Sequence, residues 1–139
     1  MPTIRGTARL VYQPHLYQRL LDLAPSPSNA LEFCLGSLQE MSEGNVYESI
    51  EQYGRQKAIA YVHFRNVQGK VPRYHEVFVD EGDLDMFEAL RALRRVGYDG
   101  VLIPDHTPQM SCDAPWHAGM AYALGYMKAA LQAVESEES

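Results

Sequence analysis

Ala58-Ile59-Ala60-Tyr61-Val62-His63-Phe64 is the stretch whose reading decides the fold. It is a short apolar run, and it reads as a strand buried inside a sheet. Two similar runs flank it along the chain. Upstream, Ala30-Leu31-Glu32-Phe33-Cys34-Leu35-Gly36 ends on a glycine. Downstream, Gly100-Val101-Leu102-Ile103-Pro104 leads into Asp105-His106. Helical patterns separate them. Residues 46–54 form one helix. Residues 83–96 form the clearest one, with Asp83 as N-cap, Met86, Leu90, Leu93 and Val96 at helical spacing, and Gly97 as its end. A helix over 14–24 starts at Pro14 and carries Leu16, Leu20, Leu21 and Leu23, before the break at Pro25-Ser26-Pro27-Ser28-Asn29. A final helix covers roughly 115–134. Gly69 to Asp80 reads as an irregular hairpin inserted after the second strand, with alternation in Val77-Phe78-Val79.

Strands alternating with helices imply an α/β fold with a parallel sheet of βα units. At 139 residues the chain favours one domain, and it falls short of the ~250 residues of a closed (β/α)8 barrel. Hydrophobic residues make up 46% and charged residues 22%, as in ordinary globular proteins. The net charge of −6 argues against a nucleic acid as partner, since phosphate binding needs a basic face. No apolar run approaches the ~18 residues of a membrane span, and Met1-Pro2-Thr3-Ile4-Arg5-Gly6 lacks the apolar core of a signal peptide. A cytoplasmic location follows as the expectation, with Cys34 and Cys112 as free thiols. The acidic end, residues 135–139, reads as a frayed tail.

Chemistry in parallel βα folds gathers at the C-terminal ends of the strands. Cys34, His63 and Asp105 fall there on three successive strands, 29 and 42 residues apart. Each has an ordinary explanation by itself. Cys34 is a small buried hydrophobe, His63 a satisfied core histidine, and Asp105-His106 a turn or cap. Together they are better explained by a shared partner, because unpaired buried polar groups are costly. Thiolate, imidazole and carboxylate suit a borderline divalent ion, with Zn, Fe(II) and Mn(II) all open. Arg65, beside Asn66, reads either as a bidentate anchor for a substrate carboxylate or as a surface salt bridge. His106 reads as a general acid or base, or as support for Asp105. His75-Glu76 reads as a solvated hairpin face rather than part of the mouth. Tyr122 and Tyr126 sit four apart on the last helix, a spacing more typical of packing. His15, His117 and Cys112 carry no spacing signal.

Four segments resemble D-mannonate dehydratases. Tyr61-Val62-His63-Phe64-Arg65-Asn66-Val67 is similar to that family's His-x-Arg-Asn-Val signature, and Gly82-Asp83-Leu84-Asp85-Met86 to its Gly-Asp-x-Asp-Met helix start. Ile103-Pro104-Asp105-His106 resembles its Pro-Asp-His strand end, and Leu31-Glu32-Phe33-Cys34-Leu35-Gly36-Ser37 the segment with its metal-binding cysteine. The resemblance implies a partial TIM barrel of the xylose-isomerase-like group, made of about three C-terminal βα units. It implies dehydration of the sugar acid D-mannonate to 2-keto-3-deoxy-D-gluconate, in hexuronate catabolism, with Mn(II) or Fe(II). It implies Cys34, His63 and Asp105 as metal ligands, Arg65 and Asn66 as substrate contacts, and Asp105 and His106 as catalytic groups. Tyr122 is the nearest counterpart of the family's catalytic tyrosine.

The family's further ligand, a histidine in a His-Pro-Asp-Asp-Pro segment, belongs just upstream of a stretch similar to Pro2–Arg9. The expectations are therefore weaker metal binding and little or no activity for this chain alone. Self-association, or association with a chain carrying the other barrel half, is expected for the same reason. The alternatives are a sugar isomerase or epimerase of the same fold group, and a non-enzymatic fragment completed by a partner.

Overall fold

A computed structural model describes residues 3, 4 and 6–137. Two-residue strands β1 (Thr3–Ile4) and β2 (Thr7–Ala8) pair antiparallel and precede α1 (Leu16–Leu23). Then follow β3 (Leu31–Cys34), α2 (Leu35–Gln39), α3 (Val46–Arg55) and β4 (Ile59–His63). The hairpin β5 (Val67–Lys70) and β6 (Arg73–Glu76) comes next, then α4 (Met86–Arg95), β7 (Val101–Ile103) and α5 (Pro115–Ser136). The central sheet has the order β3-β4-β7, and both pairings are parallel. Consecutive βα units laid side by side in chain order are the build of a barrel wall, and the chain is a part of a TIM-barrel-like α/β fold.

Register aligns the strands in rows. Phe33, Val62 and Leu102 form one row, flanked by Glu32-Tyr61-Val101 on one side and Cys34-His63-Ile103 on the other. Side chains alternate between faces along a strand. The Phe33 row therefore turns to the helices, where Phe33 and Val62 are fully buried with Ile50 and Tyr53 of α3, Leu90 and Leu93 of α4, and Met127 and Ala130 of α5. Tyr17 of α1 closes this core edge-on against Tyr53, with ring centroids 5.9 Å apart. The other two rows look out on the opposite face, where Tyr61 and Val101 are exposed.

Four sequence expectations are corrected. The first strand ends at Cys34, and Leu35 and Gly36 begin a short helix that Cys34 caps, its sulfur accepting from Ser37 N at 3.4 Å. Gly36 is required there, because a Cβ would lie 2.8 Å from Arg65 Cγ. The cap of α4 is Asp85, not Asp83. Asp85 accepts from Phe87 N and Glu88 N at 2.9 and 3.0 Å, while Asp83 accepts from Gly69 N at 2.7 Å and ties down the hairpin. The hairpin strands lie at 67–70 and 73–76, so Val77-Phe78-Val79 follows the hairpin instead of pairing within it. The acidic end is helical to Ser136, and Glu137 takes two hydrogen bonds from Arg91 at 2.6 and 2.8 Å. Residues 138 and 139 lie outside the described residues.

Gly97 ends the helix as expected. At φ 70° its N–H bonds Arg94 O, and Tyr98 N bonds Leu93 O, the double closure of a Schellman end. Among the described residues no helix is long and apolar enough to cross a membrane.

Candidate metal and acid-base centre

Cys34 and His63 are the last residues of β3 and β4 and face each other in register. Asp105 follows β7 by two residues at φ 65°, a left-handed conformation that Asp tolerates better than most. This turn brings its carboxylate between two histidines. Asp105 Oδ1 lies 3.4 Å from His63 Nδ1, and Oδ2 lies 3.3 Å from His106 Nε2. His106 Nε2 is also 3.6 Å from Glu76 Oε2. Glu76 in turn accepts two hydrogen bonds from Arg65, the one from Nε at 2.7 Å. Arg65 Nη1 reaches back to Cys34 Sγ at 3.5 Å. A chain of polar contacts thus runs from Cys34 through Arg65, Glu76, His106 and Asp105 to His63.

Arg65 is the most heavily used member. Its guanidinium also donates to Ser37 Oγ and to the buried Glu40, which Arg9 meets from the other side at 2.8 Å. Burial works against its charge, but the hydrogen bonds to Glu76 and Cys34 outweigh that and hold its pKa above the ordinary value. The surface salt bridge considered from sequence is in fact a buried one. Asn66, 1% exposed, donates to Val79 O and Leu84 O at 3.0 and 2.9 Å and accepts from the N–H groups of Val67 and Leu84. Its side chain stitches the loop before α4 to the end of β4, which occupies the amide's donors and acceptor within the chain.

Tyr122 packs edge-on to Phe78 at 5.3 Å and lines one recess with Arg65, Asn66 and His106. A hydrogen bond with Asp80 raises its pKa, with desolvation adding to this. Tyr126, four residues on, packs edge-on against Phe87 at 6.0 Å.

One acidic group was assigned to the wrong surroundings from sequence, and a second escaped that reading. Glu76 is no solvated hairpin residue, since β6 lays it across Arg65 and His106; only His75 beside it is exposed. Glu32 stands two residues before Cys34, on the same face of β3, with Oε1 3.0 Å from His63 Nδ1. The period of two in a strand is the signal that could have found it. Burial above all, with Cys34 and Glu32 nearby adding to it, pushes the Tyr17 hydroxyl up to about 12.

The donor set fits a divalent cation. Ligand atoms of Glu32, Cys34 and His63 all lie within 4.8 Å of one another, a gap that metal–ligand bonds of ~2.0–2.3 Å can bridge with small side-chain rotations. Soft sulfur, borderline nitrogen and hard oxygen together suit a first-row transition ion.

Comparison with known proteins agrees with the geometry. The family model for D-mannonate dehydratase (UxuA) matches residues 1–138. A mannonate dehydratase of Enterococcus faecalis is 41% identical over 107 residues, 74% of this chain and 29% of the relative. One of Thermotoga petrophila is 34% identical over 109 residues, 75% of this chain and 30% of the relative. The chain thus spans about 30% of the length of the curated relatives it matches. The crystal structure of mannonate dehydratase from Streptococcus suis serotype 2 superposes with a TM-score of 0.85 at 23% identity, over 99% of this chain and 41% of that one. A xylose isomerase domain protein from Planctomyces limnophilus shares the fold, with a TM-score of 0.73 at 17% identity, over 94% of this chain and 49% of that one. Asp105 meets His63 but stands outside the compact group of Glu32, Cys34 and His63; with the family model matching nearly every residue, the chain belongs to the D-mannonate dehydratase family.

Proposed function

We propose that the chain serves the dehydration of D-mannonate to 2-keto-3-deoxy-D-gluconate, assisted by Mn(II) or Fe(II), as part of a larger barrel in the cytoplasm. The observation that carries this reading is the chain of contacts that joins Cys34, by way of Arg65, Glu76, His106 and Asp105, to His63 at the C-terminal ends of three adjacent strands. Cys34, His63 and Asp105 would hold the ion, which when bound supplies Lewis acidity toward the substrate's oxygens.

The rest falls to side chains. Loss of water breaks a C–H bond next to the carboxylate and the C–O bond of the neighbouring hydroxyl; the enol that remains ketonises. His106 is the side chain suited to accept the α proton, because the Asp105 and Glu76 carboxylates beside its Nε2 would steady the imidazolium that results. Tyr122, which lines the same recess, is the side chain suited to protonate the departing hydroxyl. Arg65 supplies positive charge at that recess, and its contact with Cys34 steadies the thiolate.

The exposed face with Tyr61 and Val101, together with the outer edges of β3 and β7, supports a barrel completed by further βα units, in the same polypeptide or in a second one. The test mixes this chain with the preceding part of the Enterococcus faecalis relative, Mn(II) and D-mannonate. Formation of the 2-keto acid above the level of the chain alone, lost in His106→Ala, is the expected result. Untouched D-mannonate, under conditions where the full-length relative turns it over, would refute the reading.

A further inference from the structure

We propose that Glu32 is a ligand of the divalent ion in this site and holds the coordination place that substrate must take, so that it closes the site at rest and swings off when a sugar acid binds. The inference rests on the reading that the centre holds a metal.

Its basis is a mismatch between acceptors and donors. His63 Nδ1 carries at most one proton, yet two carboxylates approach it, Glu32 Oε1 at 3.0 Å and Asp105 Oδ1 at 3.4 Å. One carboxylate is enough to orient an imidazole. The second leaves a like-charge pair converging on a single nitrogen, an arrangement that a divalent cation between them relieves. Cys34 Sγ lies within 4.8 Å of both the Glu32 and His63 ligand atoms, which brings the thiolate to the same point. Strand geometry maintains the arrangement. Glu32 and Cys34 share one face of β3 two residues apart, and the ring of Tyr61, Glu32's register partner on β4, lies 5.5 Å from the His63 ring.

Charge and mobility then separate the two carboxylates. Thiolate and both carboxylates around a divalent ion leave the centre with one net negative charge, which repels an incoming carboxylate substrate. Releasing one carboxylate makes the centre neutral and opens a coordination place, as a catalytic metal requires. Glu32 is the one free to leave. Its side chain is 41% exposed, against 24% for Asp105, and Asp105 is also held by His106.

The test is titration of the full chain with Mn(II) and with Co(II), by calorimetry and by the visible spectrum of bound Co(II). Glu32→Gln is expected to weaken binding on the order of 10-fold or more and to alter the Co(II) spectrum. Glu32→Asp is expected to recover part of the affinity, and Glu48→Gln, an exposed acid on α3, to change nothing. Adding D-mannonate to the Co(II)-loaded chain is expected to shift its spectrum toward that of Glu32→Gln; an unchanged spectrum overturns the displacement. Affinity within twofold of the parent, with the same Co(II) spectrum in Glu32→Gln, overturns Glu32 as ligand and leaves the dehydratase reading intact. A parent chain that binds neither ion overturns both. Circular dichroism of Glu32→Gln guards against loss of fold, and should Glu32→Gln be misfolded, Glu32→Asp decides by the same twofold criterion.

Discussion

The two faces of the β3-β4-β7 sheet come from alternating residues of the same three strands, yet they meet different surroundings. On one face, Phe33 and Val62 lie under α3, α4 and α5 with no exposure at all. On the other, Val101 is 62% exposed and Tyr61 37%, and the neighbouring positions carry Glu32, Cys34 and His63. The first face closes within the described residues, and its burial is expected to contribute more to stability than the second face does. The second holds the polar groups and gives little stability in this chain. One strand can do both jobs because its side-chain period is two, so packing and chemistry are written on alternate positions.

Substitutions across the sheet can break that comparison. Phe33→Ala removes a fully buried ring between Tyr17 and Tyr53 and is expected to cost about 3–5 kcal/mol in urea denaturation. If it costs no more than Tyr61→Ala, the two faces are not energetically distinct. Asn66→Ala leaves the carbonyls of Val79 and Leu84 without their buried donor, and a loss of roughly 1–3 kcal/mol is expected by the same measurement. A neutral outcome would show that the loop before α4 is held without it.

Smaller effects sharpen the picture. Val101→Thr, on the open face, is expected to stay within about 0.5 kcal/mol of the parent, and a large loss would mean that this face is covered in solution. The smallest effect concerns the C-terminal end of α5. Hydrogen bonds from Arg91 hold the Glu137 carboxyl below its ordinary value of 4.5. Folding therefore favours the ionised form. The contribution is complete above that ordinary value and disappears as pH falls through the lower folded value. Glu137→Gln should accordingly narrow the gap in thermal midpoint between about pH 6 and about pH 3. An unchanged gap would assign acid sensitivity to other carboxylates, such as Glu51 beside Arg95 and Arg55.

Much of the fold was legible because local pattern and tertiary environment agree. Residues 58–64 read as a buried strand; they do form β4 over Ile59–His63, but only Val62 of it is buried, because helices cover one face of the sheet alone, whereas Gly97 reads as a helix end and closes a Schellman turn. The misplacements share one cause. Asp83 and Asp85 are equally good helix caps by composition, but Asp83 is drawn to Gly69 of the hairpin, so the cap passes to Asp85. The run 77–79 alternates like a strand but has no partner, because β5 already pairs with 73–76.

Residue type and order by themselves determined the βα repeat, the strand-end positions of Cys34 and His63, and the motifs that mark the family. The tertiary structure alone decided which groups those positions meet. Glu76 crosses from the hairpin to Arg65 and His106, Asp105 turns at a left-handed φ to stand between two histidines, and Glu32 reaches the same imidazole from a neighbouring strand. The physical reason is range. Periodicity and capping act over a few residues and can be read along the chain, whereas hydrogen-bond and ion-pair partners are chosen by distances of about 3 Å between segments far apart in sequence.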